Sequence, residues 1–511
     1  MKRIIIHPGS VLMLFILFFF TGCQPKEKGS NTIKPNIIIF YVDDLGYGDI
    51  GVNGAKGVKT PNIDKLAREG INFTDAHSSA ATCTPSRYSL LTGEYAFRNK
   101  AKILPGDAPL IISPDQPTLP KMLKKANYKT GVVGKWHLGL GDGNVDWNEE
   151  IKPGPLEIGF DYAFLIPATG DRVPTVYMEN RDIVNLDPAD PITVSYKEKV
   201  GDRPTGEERP DLLRQPADLQ HSKTIINGIS RIGYMAGGES ALWKDEDFPD
   251  VLTNKAFEFI QANKDNPFFL YYAFHDIHVP RLPHPRFQGK SEMGPRGDAI
   301  VQVDWVLGQV VQKLKELKLA ENTLVIFTSD NGPVLNDGYE DEAVALLGDH
   351  RPGGIFRGGK YSILEAGTRM PTIASWPGTI QPGVNDALIN QLDFYASFSG
   401  LLHIPLAEGE APDSENVLPA LLGKNQEGRK IMIEESFYNM ALREGHWKYI
   451  PPLAREPGFE KVKQIEAGDS PVPQLFDLSV DPSENNNLAQ QYPARVKQME
   501  SILESLKKNP K

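Results

Sequence analysis

Strand-length apolar runs alternating with amphipathic helical segments constrain this chain more than any other feature. Asn36–Val42 (NIIIFYV), Pro267–Phe274 (PFFLYYAF) and Thr323–Ser329 (TLVIFTS) bury both faces if they pair, and Tyr128–Val133 reads as a fourth strand. Helices are predicted over Pro61–Glu69, Leu119–Ala126, Val251–Asn263 and Asp304–Leu317. The first has Thr60 at its cap, Pro61 in its first turn and Gly70 just past its end. The pattern predicts an α/β fold, a large mostly parallel sheet between helices. From about residue 430 onward it changes to a smaller antiparallel sheet with a terminal helix, Pro493–Leu506.

The residues that follow each strand carry the chemistry. Asp43-Asp44 follow Asn36–Val42, Lys135 and His137 follow Tyr128–Val133, His275 and His278 follow Pro267–Phe274, and Asp330-Asn331-Gly332 follow Thr323–Ser329. Ligands of open α/β sheets bind beyond the carboxyl ends of the strands, so these clusters are expected to converge. Three carboxylates and an amide form an oxygen-only ligand set, which suits a hard cation, calcium or magnesium, better than zinc. Lys135, Lys360 and Arg87 around such a metal suit a substrate with a compact oxyanion. Phosphate and sulfate esters both fit.

The formal net charge of -11 gives no electrostatic footprint for nucleic acid. The chain opens with Lys2 and Arg3, then an apolar run, Val11–Phe20, too short to span a membrane, and Phe-Thr-Gly-Cys ending at Cys23. This ending resembles a lipoprotein signal. It implies a signal peptide over residues 1–22, a lipid on Cys23, a polar tether over 23–34, and an exported, envelope-anchored protein. A catalytic domain is then expected over 35–425 and a C-terminal subdomain over 426–511. Of the two cysteines, Cys83 is left without a disulfide partner, which points to a reactive or modified residue.

Cys83 stands in ATCTPSRYSLLTG (Ala81–Gly93), and GVVGKWHLG covers Gly131–Gly139. These match the two signatures of the type I sulfatases. The resemblance continues through KPNIIIFYVDDLGYGD, FTSDNG, RGGKYSILEAGTRMP, ALREGHWKYI and LFDLSVDPSENNNLA, and so spans about Lys34 to Leu488. It implies an alkaline-phosphatase-like fold and conversion of Cys83 to Cα-formylglycine by a maturing enzyme that reads Pro85 and Arg87. It also implies Ca2+, with Mg2+ second, held by Asp43, Asp44, Asp330, Asn331 and an oxygen of residue 83. Lys135 and Lys360 would hold the sulfate, and Arg87 would orient the hydrated aldehyde. Its attacking hydroxyl would lose a proton toward Asp330, His278 would protonate the leaving oxygen, and His137 would accept the proton that restores the aldehyde. His275 is expected behind His278. Asp49, His77 and His350 receive no role.

The implied substrate is a sulfated carbohydrate, with galactose, N-acetylgalactosamine and glucosamine sulfates all open. Asp171, Arg172 and His221, and Arg443 or His446 from the C-terminal part, are candidates to reach the sugar. Two alternatives stand beside this reading: a phosphodiesterase or phosphonate monoester hydrolase of the same superfamily, and a non-catalytic glycan-binding lipoprotein.

Overall fold

In the computed structural model the described residues are Met1, 34–456, 458, 461 and 463–508. The export signal and Cys23 lie outside them. Residues 34–511 form one compact unit, and among the described residues no helix is long and apolar enough to cross a membrane.

A ten-stranded sheet forms the centre. Its heart is a parallel set in the order Thr323–Ser329, Asn36–Val42, Phe268–Ala273, Lys129–Lys135, Tyr162–Ile166. Thr372–Ser375 pairs antiparallel on one flank, and the short strands Met178–Glu179 and Asp182–Ile183 close the other. Alternate residues of a strand point to opposite faces, and both faces are buried. Ile37, Ile39 and Tyr41 join one apolar core, and Ile38, Phe40 and Val42 the other. That double burial explains why these strands read as unbroken apolar runs. Ile431–Glu435, Met440–Glu444, Trp447–Ile450 and Gln474–Asp477 form the expected C-terminal antiparallel sheet, followed by the helix Pro493–Lys508.

Two helices differ from the sequence reading. The segment expected from Asp304 begins ten residues earlier, as Gly294–Glu316 with proline in its first turn. Asp304 is not a cap of its own helix. Its Oδ1 accepts from the backbone N–H groups of Asn62 and Ile63, at 2.9 and 2.8 Å. It thereby satisfies donors that the first turn of the Pro61–Arg68 helix leaves open. Thr60 sits at the N-cap of that helix, but its side chain makes no capping bond.

Candidate active site

Sheet register gathers the site. Val42 lies beside Ser329, Tyr41 beside Ala273, and Lys135 beside Ile166, so the segments that follow these strands leave the sheet along one edge. Just before Lys135, Gly134 has φ +110°, and a Cβ there would sit 1.9 Å from the Ala273 carbonyl oxygen. Only glycine allows that approach. Asp44 and His137 both adopt left-handed backbone, φ 60° and 55°, a conformation few non-glycine residues take.

The carboxylates are buried and bound from several sides. Asp43 Oδ2 accepts from Lys135 Nζ, and Asp44 Oδ2 accepts from Lys360 Nζ at 2.9 Å. Asp330 Oδ2 takes a fork from Arg87, Nε at 3.0 Å and Nη2 at 2.8 Å. Asn331 Nδ2 donates to Asp44 Oδ1 at 2.8 Å. Two oxygens remain buried with no hydrogen-bond partner, Asp43 Oδ1 and Asn331 Oδ1. Orphaned buried acceptors are costly. Oxygens of Asp43, Asp44 and Asp330 lie within 4.8 Å of one another, so the donor set fits an oxygen-ligated cation. Burial, then the adjacent Asp330, pushes Asp43 up to about 6, and burial raises Asp44 as well.

Cys83 opens the fully buried helix Cys83–Thr92 and is 1% exposed. Its Sγ lies 3.4 Å from His137 Nδ1. His137 Nε2 faces the Leu104 carbonyl oxygen at 2.9 Å, which assigns the proton to Nε2 and turns the Nδ1 lone pair toward Cys83. His278 Nδ1 donates to the Val279 carbonyl at 2.7 Å, so its Nε2 is the free face, 3.9 Å from Asp44 Oδ2. Burial, then neighbouring lysines (Lys135 for His137, Lys360 for His278), holds both imidazoles well below the ordinary histidine range. Cys83, His137, His278 and Lys360 line one pocket of about 40 Å3. One water needs roughly 10–15 Å3 of such space, so the pocket suits a few waters or one compact terminal group.

With that geometry established, the comparisons decide the family. The Sulfatase family model matches residues 35–404. The chain belongs to the sulfatase family. It is 52% identical over 493 residues to an N-acetylgalactosamine-6-O-sulfatase of Bacteroides thetaiotaomicron, covering 95% of this chain and 96% of that one. It is 31% identical to human arylsulfatase A, over 89% and 83% of the two chains. Among solved structures it is similar to a 6S-sulf protein of Bacteroides thetaiotaomicron from work on the metabolism of multiple glycosaminoglycans. That match has a TM-score of 0.92 and 52% identity, covering 93% of this chain and 100% of the other. A phosphonate monoester hydrolase of Agrobacterium radiobacter, 16% identical with a TM-score of 0.55, shares the fold. As a sulfatase, the protein is a sulfuric ester hydrolase of the alkaline phosphatase superfamily.

In this sulfatase the structure brings together Asp43, Asp44, Cys83, Arg87, Lys135, His137, His278, Asp330, Asn331 and Lys360. His275 is absent from the pocket lining and packs on Phe248, with ring centroids 5.2 Å apart. Asp171, Arg172 and His221 reach the pocket rim. Arg172 Nη1 lies 2.7 Å from Asp171, and His221 Nδ1 lies 2.7 Å from Asp218. Arg443 and His446 do not reach it. Arg443 is buried against Asp75 at 3.0 Å and Glu365 at 3.3 Å, and the His446 side chain is 55% exposed near Asp477. Arg443 is engaged by these carboxylates and His446 lies in the turn after the Arg443 strand, which sequence proximity to a motif does not reveal. Asp49 and His350 instead pair with each other, at 2.8 Å, and Arg296 grips Asp49 through both nitrogens.

Two site residues were missed. Asp337 accepts from Lys360 at 2.9 Å and from Lys463 at 2.6 Å, and both Asp337 and Lys463 line the pocket. Neither lies in a recognisable motif. A loop carboxylate and a C-terminal lysine carry no local signal of a shared site.

Proposed function

We propose that this sulfatase hydrolyses the sulfate ester of a carbohydrate, with 6-sulfated N-acetylgalactosamine as the leading substrate. The observation that carries the chemistry is Cys83 at the pocket floor, beside His137 and next to a three-carboxylate cluster with unsatisfied oxygens. The sugar is supported by the relative at 52% identity, an N-acetylgalactosamine-6-O-sulfatase.

Cys83 is proposed to be converted to Cα-formylglycine by a maturing enzyme, and its hydrate supplies a hydroxyl nucleophile. The buried thiol supports this reading: burial pushes Cys83 up, which leaves a protonated and poorly nucleophilic sulfur. Asp43, Asp44, Asp330 and Asn331 are proposed to hold Ca2+, which when bound polarises the sulfate oxygens. Lys135 and Lys360 stand over the same anion and preorganise positive charge for the transition state. Arg87 fixes Asp330 Oδ2 through its fork, and Asp330 Oδ1, which accepts from the Asp44 backbone N–H at 3.3 Å, is proposed to draw the proton of the attacking hydroxyl. His137 Nδ1 accepts a proton from residue 83. His278 Nε2 delivers one to the leaving oxygen, and takes it up when the anionic substrate offsets Lys360 and Lys135.

Export with a lipid on Cys23 is likewise proposed, supported by Lys2, Arg3 and the Val11–Phe20 run. The test is sulfate release from a panel of monosaccharide sulfates together with mass spectrometry of the Cys83 peptide. Release from N-acetylgalactosamine 6-sulfate by protein carrying formylglycine is expected. Turnover by protein with unmodified Cys83 would remove the aldehyde, and faster cleavage of phosphodiesters would move the activity to the phosphonate monoester hydrolase class.

A further inference from the structure

A second, larger cavity of about 430 Å3 lies against the catalytic pocket. Ile103 lines both. Thr82 and Pro85 wall the second cavity and Cys83, between them in sequence, walls the first, so the opening turn of one helix is the partition. Tyr361 on the catalytic side and Phe437 on the other meet edge to face, with centroids 5.9 Å apart. The volume falls in the range of small-molecule sites, roughly 300–1,000 Å3.

The lining has a definite chemistry. Phe437 and Tyr438 are 38% and 40% exposed, an apolar wall open to solvent. Lys100 and Lys102 are exposed at the rim and make no ion pair among the described residues. Glu435 lies in the wall with its Oε2 shielded from solvent. Burial pushes the Glu435 carboxyl up to about 8, so near neutral pH it is largely uncharged and does not repel an anion. Exposed cations at the mouth and an apolar wall suit an acidic saccharide.

We propose that this cavity is a second saccharide subsite, taking the acidic sugar next to the sulfated residue held at Cys83. Lys100 and Lys102 face its carboxylate or sulfate, and the exposed Phe437 and Tyr438 pack against its ring. This rests on the reading of the substrate as a sulfated glycan. The small catalytic pocket takes the sulfate end, and the larger cavity accounts for the remainder of the chain.

The probe is a trisaccharide of 6-sulfated N-acetylgalactosamine followed by a uronic acid, compared with the monosaccharide sulfate. In the double variant Lys100→Ala/Lys102→Ala, the ratio of kcat/KM on the trisaccharide to that on the monosaccharide is expected to fall about tenfold, equivalent to roughly 1.4 kcal/mol. Calorimetric titration of the full-length Cys83→Ser protein with the trisaccharide is expected to show about tenfold weaker binding after the lysine substitutions. An unchanged ratio and unchanged affinity, with sulfate release intact, would overturn the subsite and leave the hydrolase reading standing. Lysine-dependent binding without sulfate release from either sugar would support the subsite and overturn that reading instead.

Discussion

Two buried acidic clusters of this sulfatase look alike in composition and behave differently. One is Asp43, Asp44 and Asp330 at the sheet edge; the other is Asp75, Glu365, Glu434 and Glu484 with His77 beneath the C-terminal sheet. Both contain ligand atoms close enough to share a metal, oxygens alone in the first and Asp75, Glu365 and a His77 nitrogen in the second. In the second, Arg369, Arg443 and Lys448 stand among the carboxylates. Burial opposes ionisation of Asp75 and Glu365, yet these cations outweigh it and hold both carboxyls below the usual range. In the first, burial wins at Asp43 and Asp44, and both shift upward. Glu484 in the second cluster also shifts upward, and Glu434 Oε1 and Glu484 Oε1 have no hydrogen-bond partner, so neutralisation there is centred on Asp75 and Glu365. The first also abuts the pocket that holds Cys83 and Lys360, whereas none of the second cluster's residues lines it.

The sharpest break in the comparison is at Cys83. Cys83→Ala is expected to lower kcat by on the order of 10^4-fold or more, as removal of a nucleophile does, with sulfate release as the readout. Metal comes next. Chelation is expected to abolish most turnover and Ca2+ to restore it, while Asp43→Asn lowers the concentration-dependent rise in Tm that Ca2+ produces. The same Ca2+ titration on Glu365→Gln is expected to give the wild-type rise, and loss of that rise would make the second cluster a metal site too.

Lys448→Met attacks the neutralised cluster. It strands Glu365, Glu434 and Glu484 without their shared ammonium, at 3.1, 2.9 and 3.2 Å. Breaking a buried pair in this way costs about 3–5 kcal/mol. Denaturant unfolding measures it, and little change in KM is expected. A smaller effect concerns pH. Four carboxyls face three permanent cations, and burial pushes Glu484 up to about 7 from its ordinary 4.5. A carboxyl raised in the folded state stabilises below the unfolded pKa, and that contribution is lost as pH rises through the folded value. Glu484→Gln is therefore expected to flatten the fall in Tm between about pH 4.5 and 7. The least effect is expected at Lys463→Ala, a several-fold rise in KM, because Asp337 keeps Lys360 when Lys463 is lost.

Much of the fold was legible because strand burial leaves a local trace. Asn36–Val42 and Thr323–Ser329 fold over the residues read from the sequence, since two-sided burial forbids polar interruptions. Helix starts were harder. The Gly294–Glu316 helix has a polar first third, and Asp304 within it imitates a cap while serving a different helix. The catalytic candidates were legible for another reason: each sits directly after a strand or inside a long motif. Asp337, Lys463 and the cavity beside Ile103 were not, because their partners come from distant segments.

The sequence by itself determined the parallel sheet, the order in which its carboxyl ends deliver acids, lysines and histidines, and the singular position of Cys83. These follow from local patterns, a two-sided apolar strand or a contiguous motif, that survive in one dimension. Tertiary structure alone decided which buried acids are neutralised and which are left open. It also set which imidazole nitrogen carries the proton, through the Leu104 and Val279 carbonyls. Such properties depend on distances of about 3 Å between residues far apart in the chain, and burial turns those distances into differences of charge.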